Sequence, residues 1–185
     1  MSVARDEDAD APVDVVWKGR FIQAKKRGKW EYVSRVGDVT AAVILAIDAE
    51  DHVILVEQYR VPVGANCIEL PAGLVGDEAA GEDIADAAAR ELEEETGYRA
   101  ERMVSLGRFY ASAGMSSEYF TLLRAEGLVK TGAGGGVAGE NIVVHRVPRA
   151  EVPAFVEAKR AQGAEVDVKL LLLLAGVFVP GALGR

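Results

Sequence analysis

The sequence predicts an α+β fold in which a mixed β-sheet is held between helices, an α/β/α sandwich. Three observations carry that prediction. Apolar runs of strand length intermingle with a few longer helical stretches, with no internal repeat and no regular strand–helix alternation. At 185 residues the chain is long enough for one substantial domain with its own core. Its composition, 50% apolar and 27% charged, is ordinary for a globular protein.

Taken in order, residues 1–12 are small, polar and acidic, and are expected to form a disordered tail. Residues 13–38 change to strand-like pieces, Val15-Val16-Trp17, Arg20-Phe21-Ile22-Gln23 and Trp30-Glu31-Tyr32-Val33, with Lys-Arg-Gly at a turn. A meander of that size does not fold alone. It is expected to be an N-terminal antiparallel β arm leaning on the main domain, residues 39–185, or on a second subunit. Val39 to Ile47 and Val53 to Tyr59 read as buried strands around a turn at Asp48 to Asp51. Arg60 follows at the strand end, where an arginine is either solvated or used. Ile68-Glu69-Leu70-Pro71 is a short strand running into a Gly-rich turn and then a helix, which Gly97 ends as a left-handed cap.

Beyond that helix, Arg102 to Phe109 and Tyr119 to Arg124 read as strands flanking the small-residue loop that ends in Glu118. Such a loop suits a mobile catalytic group, although most loop glutamates are merely solvated. Gly132 to Gly139 is low in complexity and is expected to be flexible, with no phosphate-cradling role because no strand-to-helix P-loop pattern surrounds it. Ile142 to Val147 reads as a strand, and Arg149 to Gln162 and Val166 to Phe178 as helices around a turn near Gly163.

Composition excludes several roles. The net charge of −8 leaves no basic stripe for tracking nucleic acid. The single Cys67 has no intramolecular partner and sits among apolar neighbours, the setting of a buried small side chain in a reducing compartment. The acidic N-terminus lacks the regions of a signal peptide, and the apolar run from Val168 to Val179 is too short to span a bilayer. A cytoplasmic protein without a membrane partner is expected.

The chemistry concentrates in residues 73–98, where a glycine-rich turn precedes Arg90-Glu91-Leu92-Glu93-Glu94-Glu95-Thr96-Gly97. Positions three and four apart share a helix face, so Glu91, Glu94 and Glu95 project together, Glu91 and Glu95 about 6 Å apart along the axis. Acidic runs are ordinarily a solvated helix face. Like charges so spaced nevertheless repel unless neutralised, and a hard divalent cation held by oxygen ligands neutralises them.

The wider spacing is more specific. Gly76 stands six residues before Glu82; after seven intervening residues come Arg90-Glu91, then Glu94-Glu95, Gly97 and an apolar residue. In this the sequence resembles the Nudix hydrolases, which cleave nucleoside diphosphates linked to another group. One departure is visible: Gly73 of the Pro-Ala-Gly turn lies nine residues before Glu82, as if three residues were inserted between Gly76 and Ala80. The N-terminal arm, Glu57-Gln58-Tyr59-Arg60, Ser112-Ala113-Gly114 with Glu118, Glu140-Asn141 and Asp167-Val168-Lys169 together look like the ADP-ribose and nucleotide-sugar pyrophosphatase group.

The resemblance implies a Nudix fold and attack of a metal-activated water on a diphosphate bridge. It implies Mg²⁺, or Mn²⁺ in its place, held by Glu91, Glu95, Glu94 and the carbonyl of Ala72, with Arg90 and Glu82 orienting the helix and loop. Arg35 and Arg60 would contact the diphosphate or terminal sugar, and Phe21 and Trp30 would stack on the base or pack in the core. Glu118 would be the general base or a late metal ligand, unless a helix carboxylate takes that role. The implied reaction is hydrolysis of ADP-ribose to AMP and ribose 5-phosphate by a homodimer. GDP-mannose or another nucleotide sugar is the alternative substrate. A non-catalytic ligand-sensing module is disfavoured because the box carboxylates are all kept.

Overall fold

The computed structural model describes residues 3–37, 39–76, 81–137 and 139–174. Thirteen strands and three α-helices occur among them. Strands β1 (Val13–Lys18), β2 (Ile22–Arg27) and β3 (Trp30–Arg35) form a separate antiparallel sheet. Strands β4 (Thr40–Ala46), β5 (His52–Arg60), β6 (Ala65–Glu69) and β7 (Ala72–Val75) lead to α1 (Ile84–Thr96). Then come β8 (Tyr98–Arg99), β9 (Arg102–Tyr110), β10 (Tyr119–Glu126), β11 (Val129–Lys130) and β12 (Val143–Pro148). Helix α2 (Val152–Ala161), β13 (Glu165–Val166) and α3 (Leu170–Leu174) close the described chain.

The fold class is as expected, but the mixed sheet is divided in two. One sheet has the order β7-β4-β10-β9, with β4 parallel to β10, and the other has β12-β5-β6-β13, with β6 parallel to β13. The chain steps from one to the other at Leu70-Pro71, where the Pro71 carbonyl still accepts a hydrogen bond from the Ile44 N–H at 2.8 Å. Because side chains alternate along a strand, β4 feeds two cores. Val43 and Leu45 join β5, β6, α2 and α3, whereas Ala42, Ile44 and Ala46 face Ala87, Ala88 and Leu92 of α1. Helices therefore cover both sides.

Two local expectations are corrected. Within the acidic tail, Glu7–Asp10 forms a 3-10 turn rather than disordered chain. Asp6 caps it through the Asp8 N–H, and the Asp8 carboxylate accepts the Lys29 N–H at the arm's hairpin. The stretch Gly132 to Gly139 is not a free loop either. The N–H groups of Gly135 and Gly136 donate to the carbonyls of Glu95 and Glu94 at 2.7 and 3.1 Å, so its described residues wrap the end of α1. Glycine serves close approach there: a Cβ at Gly134 would overlap the backbone of Thr96. The suspected insertion falls on residues 77–80 and the end of the last predicted helix on 175–178, both outside the described residues.

Candidate active site

Helix α1 is set by its ends. The Asp83 side chain accepts the Ala85 N–H at 2.8 Å, and Gly97, at φ 68°, takes the left-handed conformation that stops it. Its alanine and leucine side is buried against β4, which fixes the rotation and turns the acidic side toward β7. Glu93, Glu94 and Glu95 sit in the last turn, where the helix dipole already disfavours negative charge. The Lys130 ammonium offsets part of this by donating to the Thr96 carbonyl at 2.7 Å.

Glu95 is 6% exposed, and its Oε2 accepts the Ala72 N–H at 3.1 Å. Burial, and then the charges of Glu91 and Glu140, outweigh that hydrogen bond and the attraction of Arg60, and push its carboxyl up to about 8. Glu91 lies against Gly73 so closely that a Cβ there would overlap its side chain. The glycine of the Pro-Ala-Gly turn is thus the place where backbone must meet carboxylate. This approach is intact despite the lengthened sequence that follows. Arg90 ties the group together, with Nη1 at 3.0 Å from Glu91 and 3.5 Å from Glu94, and Nε at 3.6 Å from Glu82.

Ala72 and Gly73 also form part of the wall of a cleft of about 730 Å³, lined further by Arg35, Arg60, Glu69, Glu118, Asp167 and Lys169. Arg60 makes a two-pronged pair with the buried Glu69, at 2.6 and 2.8 Å. Arg35 Nε donates to Glu118 at 2.6 Å, and Lys169 Nζ to Asp167 at 2.6 Å. Trp30 lies in a second cavity of about 490 Å³ with Tyr32, Tyr110 and Arg27. Phe21 lines neither cavity; it is 62% exposed, with the Arg20 guanidinium over its ring.

The structure thus brings Ala72, Glu91, Glu95, Arg60, Arg35 and Glu118 to one region and sets Trp30 in a neighbouring cavity. Two contributors were missed in sequence. Glu69 could have been noticed as a carboxylate inside the apolar Ile68-Glu69-Leu70 strand. Glu140 was read only as part of the Glu140-Asn141 likeness and given no role at the site, because the glycines before it read as slack chain.

Cation chemistry fits these residues. Glu95 is desolvated beside other carboxylates, a state that a bound cation would relieve. Among the described residues no three acidic, histidine or cysteine side chains converge into a ready cage. One or two carboxylates with substrate phosphate and water is, however, the usual manner of holding Mg²⁺.

Fold and site define a protein with a carboxylate-edged cleft on an α+β scaffold, arranged around one acidic helix. Residues 38–166 match the NUDIX domain, and the chain belongs to that family, so that its class is Nudix hydrolase. It is 40% identical over 146 residues to the methanol dehydrogenase activator of Bacillus methanolicus, covering 74% of this chain and 76% of that protein. To the ADP-ribose pyrophosphatase of Bacillus subtilis it is 38% identical over 103 residues, 56% of this chain and 52% of the relative. The ADP-ribose pyrophosphatase of Saccharomyces cerevisiae is 41% identical over 122 residues, 53% and 52% of the two chains. The chain thus spans about half the length of these two pyrophosphatases. A crystal structure of an ADP compounds hydrolase superposes with a TM-score of 0.70 over 95% of this chain and 96% of the other, at 22% identity, a likeness of fold. Among the described residues no helix is long and apolar enough to cross a membrane.

Proposed function

We propose that the chain is a cytoplasmic, Mg²⁺-dependent hydrolase of ADP-ribose or a related nucleoside diphosphate sugar, yielding AMP and ribose 5-phosphate from ADP-ribose. The observation that carries this reading is the buried Glu95, its pKa raised by burial and by Glu91, abutting a cleft that presents Arg35 and Arg60. Its kinship to proteins named ADP-ribose pyrophosphatase supports the choice of substrate class. Glu91, Glu95 and the Ala72 carbonyl would hold the metal, with Glu94, paired to Arg90, at its margin. When bound, Mg²⁺ offsets phosphate charge and lowers the pKa of water.

The chain's own residues supply the rest. Arg35 and Arg60 orient the diphosphate oxygens. Glu69 holds the Arg60 guanidinium in one plane, so that its remaining N–H groups point at a fixed place. Glu140, on the loop wrapped around the end of α1 and close enough to raise the Glu95 pKa, takes the proton of the attacking water. The water oxygen joins one phosphorus as that phosphorus's bond to the bridging oxygen breaks, and the bridging oxygen leaves with the other phosphate. Trp30, with Tyr32 and Tyr110, offers the aromatic surface on which the base stacks.

The arm supports a homodimer. Val15, Val16, Trp17, Phe21 and Ile22 are all exposed on a sheet that buries only Ser34 among its described strand residues. Sedimentation should show a dimer, and Trp17→Glu should weaken it. For activity, ADP-ribose, GDP-mannose and ADP-glucose are incubated in parallel with Mg²⁺ and nucleoside monophosphate is measured. AMP from ADP-ribose at the highest kcat/KM is expected. Preferred release of GMP would move the reading to GDP-mannose, and no release from any would refute it.

A further inference from the structure

Glu118 stands at the end of a loop that the sequence reads as mobile. The structure fastens that loop to the arm. The Val33 N–H donates to the Met115 carbonyl at 2.9 Å and the Ser117 N–H to the Val33 carbonyl at 3.0 Å, a parallel bridge between β3 and the loop. Ser116 Oγ then accepts the Glu118 N–H at 2.9 Å. Two residues beyond Val33 on the same strand is Arg35, and its Nε meets Glu118 Oε1 at 2.6 Å. Backbone register and side-chain pair therefore fix each other. Both side chains are partly exposed, at 29% and 37%, and both line the cleft.

The same strand and loop also make the second cavity: Trp30 and Tyr32 come from β3, and Gly114, Ser116 and Ser117 from the loop. Alternation along β3 places Trp30 and Tyr32 on one face and Arg35 on the other. Base stacking on one face and phosphate contact on the other thus share one rigid support. Arginine carries considerable rotamer entropy, and a carboxylate that holds it before the ligand arrives removes that cost from binding.

We infer that Glu118 is a positioning residue: it holds the Arg35 guanidinium, through the β3-pinned loop, where the ligand's diphosphate will lie. This inference rests on the proposed hydrolase reading for the identity of the ligand. Its consequence is a distinction between hydrogen-bond acceptance, which glutamine retains, and proton acceptance, which it loses. A positioning Glu118 tolerates glutamine and suffers from alanine, whereas a general base is disabled by both.

The test measures ADP binding by calorimetry, and kcat, KM and the pH profile for ADP-ribose with Mg²⁺, in the full-length protein. Glu118→Ala should weaken ADP and raise KM about tenfold, with kcat and its pH profile little changed, and Glu118→Gln should lose no more than about threefold. Adding Glu118→Ala to Arg35→Ala should cost nothing further. Additive losses, tighter ADP binding by Glu118→Ala, or a hundredfold fall in kcat for both Glu118 variants would each overturn the assignment. So would a lower melting temperature with unchanged ADP affinity, which would make the pair a structural strut. ADP binding requires no turnover, so failure of the wild-type protein to hydrolyse any sugar nucleotide would refute the hydrolase reading while leaving this comparison to be decided on its own.

Discussion

Two glutamates in this chain, Glu57 partly and Glu95 almost wholly withdrawn from water, are treated in opposite ways. Glu57, on β5, meets Lys159 Nζ at 2.6 Å, His145 Nε2 at 2.8 Å and Asn66 Nδ2 at 3.1 Å. Burial works against its charge, but those three hydrogen bonds prevail and hold its carboxyl below the usual range. Glu95, on α1, is surrounded by further carboxylates and rises instead to about 8. A structural carboxylate brings its partners with it: Lys159 and His145 clamp α2 and β12 onto β5. The Glu95 carboxyl has no lysine or histidine among its hydrogen-bond partners in the described residues, and its raised pKa is the feature on which the proposed cation site rests.

The comparison is broken most directly by Glu95→Gln, which should lower kcat by about 10³-fold in the presence of Mg²⁺ while circular dichroism shows the fold retained. Next comes Gly73→Ala. Its Cβ would displace Glu91 from the turn, and a loss of about 10- to 100-fold in kcat/KM is expected, with a higher Mg²⁺ requirement. Glu57→Ala should do the reverse, leaving kcat within about twofold but costing about 2 kcal/mol in urea unfolding, because Lys159 and His145 lose their shared partner. Were Glu57→Ala to abolish turnover with stability intact, the structural and functional regions would be misassigned.

A smaller effect sharpens the same contrast through pH. The Glu95 carboxyl is raised from 4.5 to about 8 in the folded chain, so its contribution to stability is present below pH 4.5 and is lost as pH rises through 8. The lowered Glu57 carboxyl contributes in the opposite sense, above its unfolded pKa, and loses its contribution in acid. Metal-free wild-type protein should therefore melt progressively lower than Glu95→Gln between pH 5 and pH 8. Equal melting temperatures for the two at pH 8 would show that Glu95 is not strained by its charge.

Sequence made the helix legible because its pattern is local: the spacing of Glu91, Glu94 and Glu95 and the left-handed stop at Gly97 each act within a few residues. The carboxylates proposed to hold the metal could be read for the same reason. What escaped is long-range. That Glu118 meets Arg35 across 83 positions, or that β4 belongs to a different sheet from β5, follows from topology that no local spacing encodes. Gly132 to Gly139 was misjudged because glycine serves slack chain and tight backbone contact alike. Only the position of the α1 terminus decides between them.

The central claim is that the Glu95 cluster is the cation site of a nucleoside diphosphate sugar hydrolase. Its most direct test follows AMP release from ADP-ribose while Mg²⁺ is titrated into metal-free wild-type protein and the Glu95→Gln variant, and is then removed with EDTA. The account predicts release by the wild type that rises with Mg²⁺, ceases with EDTA and falls by about 10³-fold in the variant. Release independent of Mg²⁺, or equal in the two proteins, would contradict it.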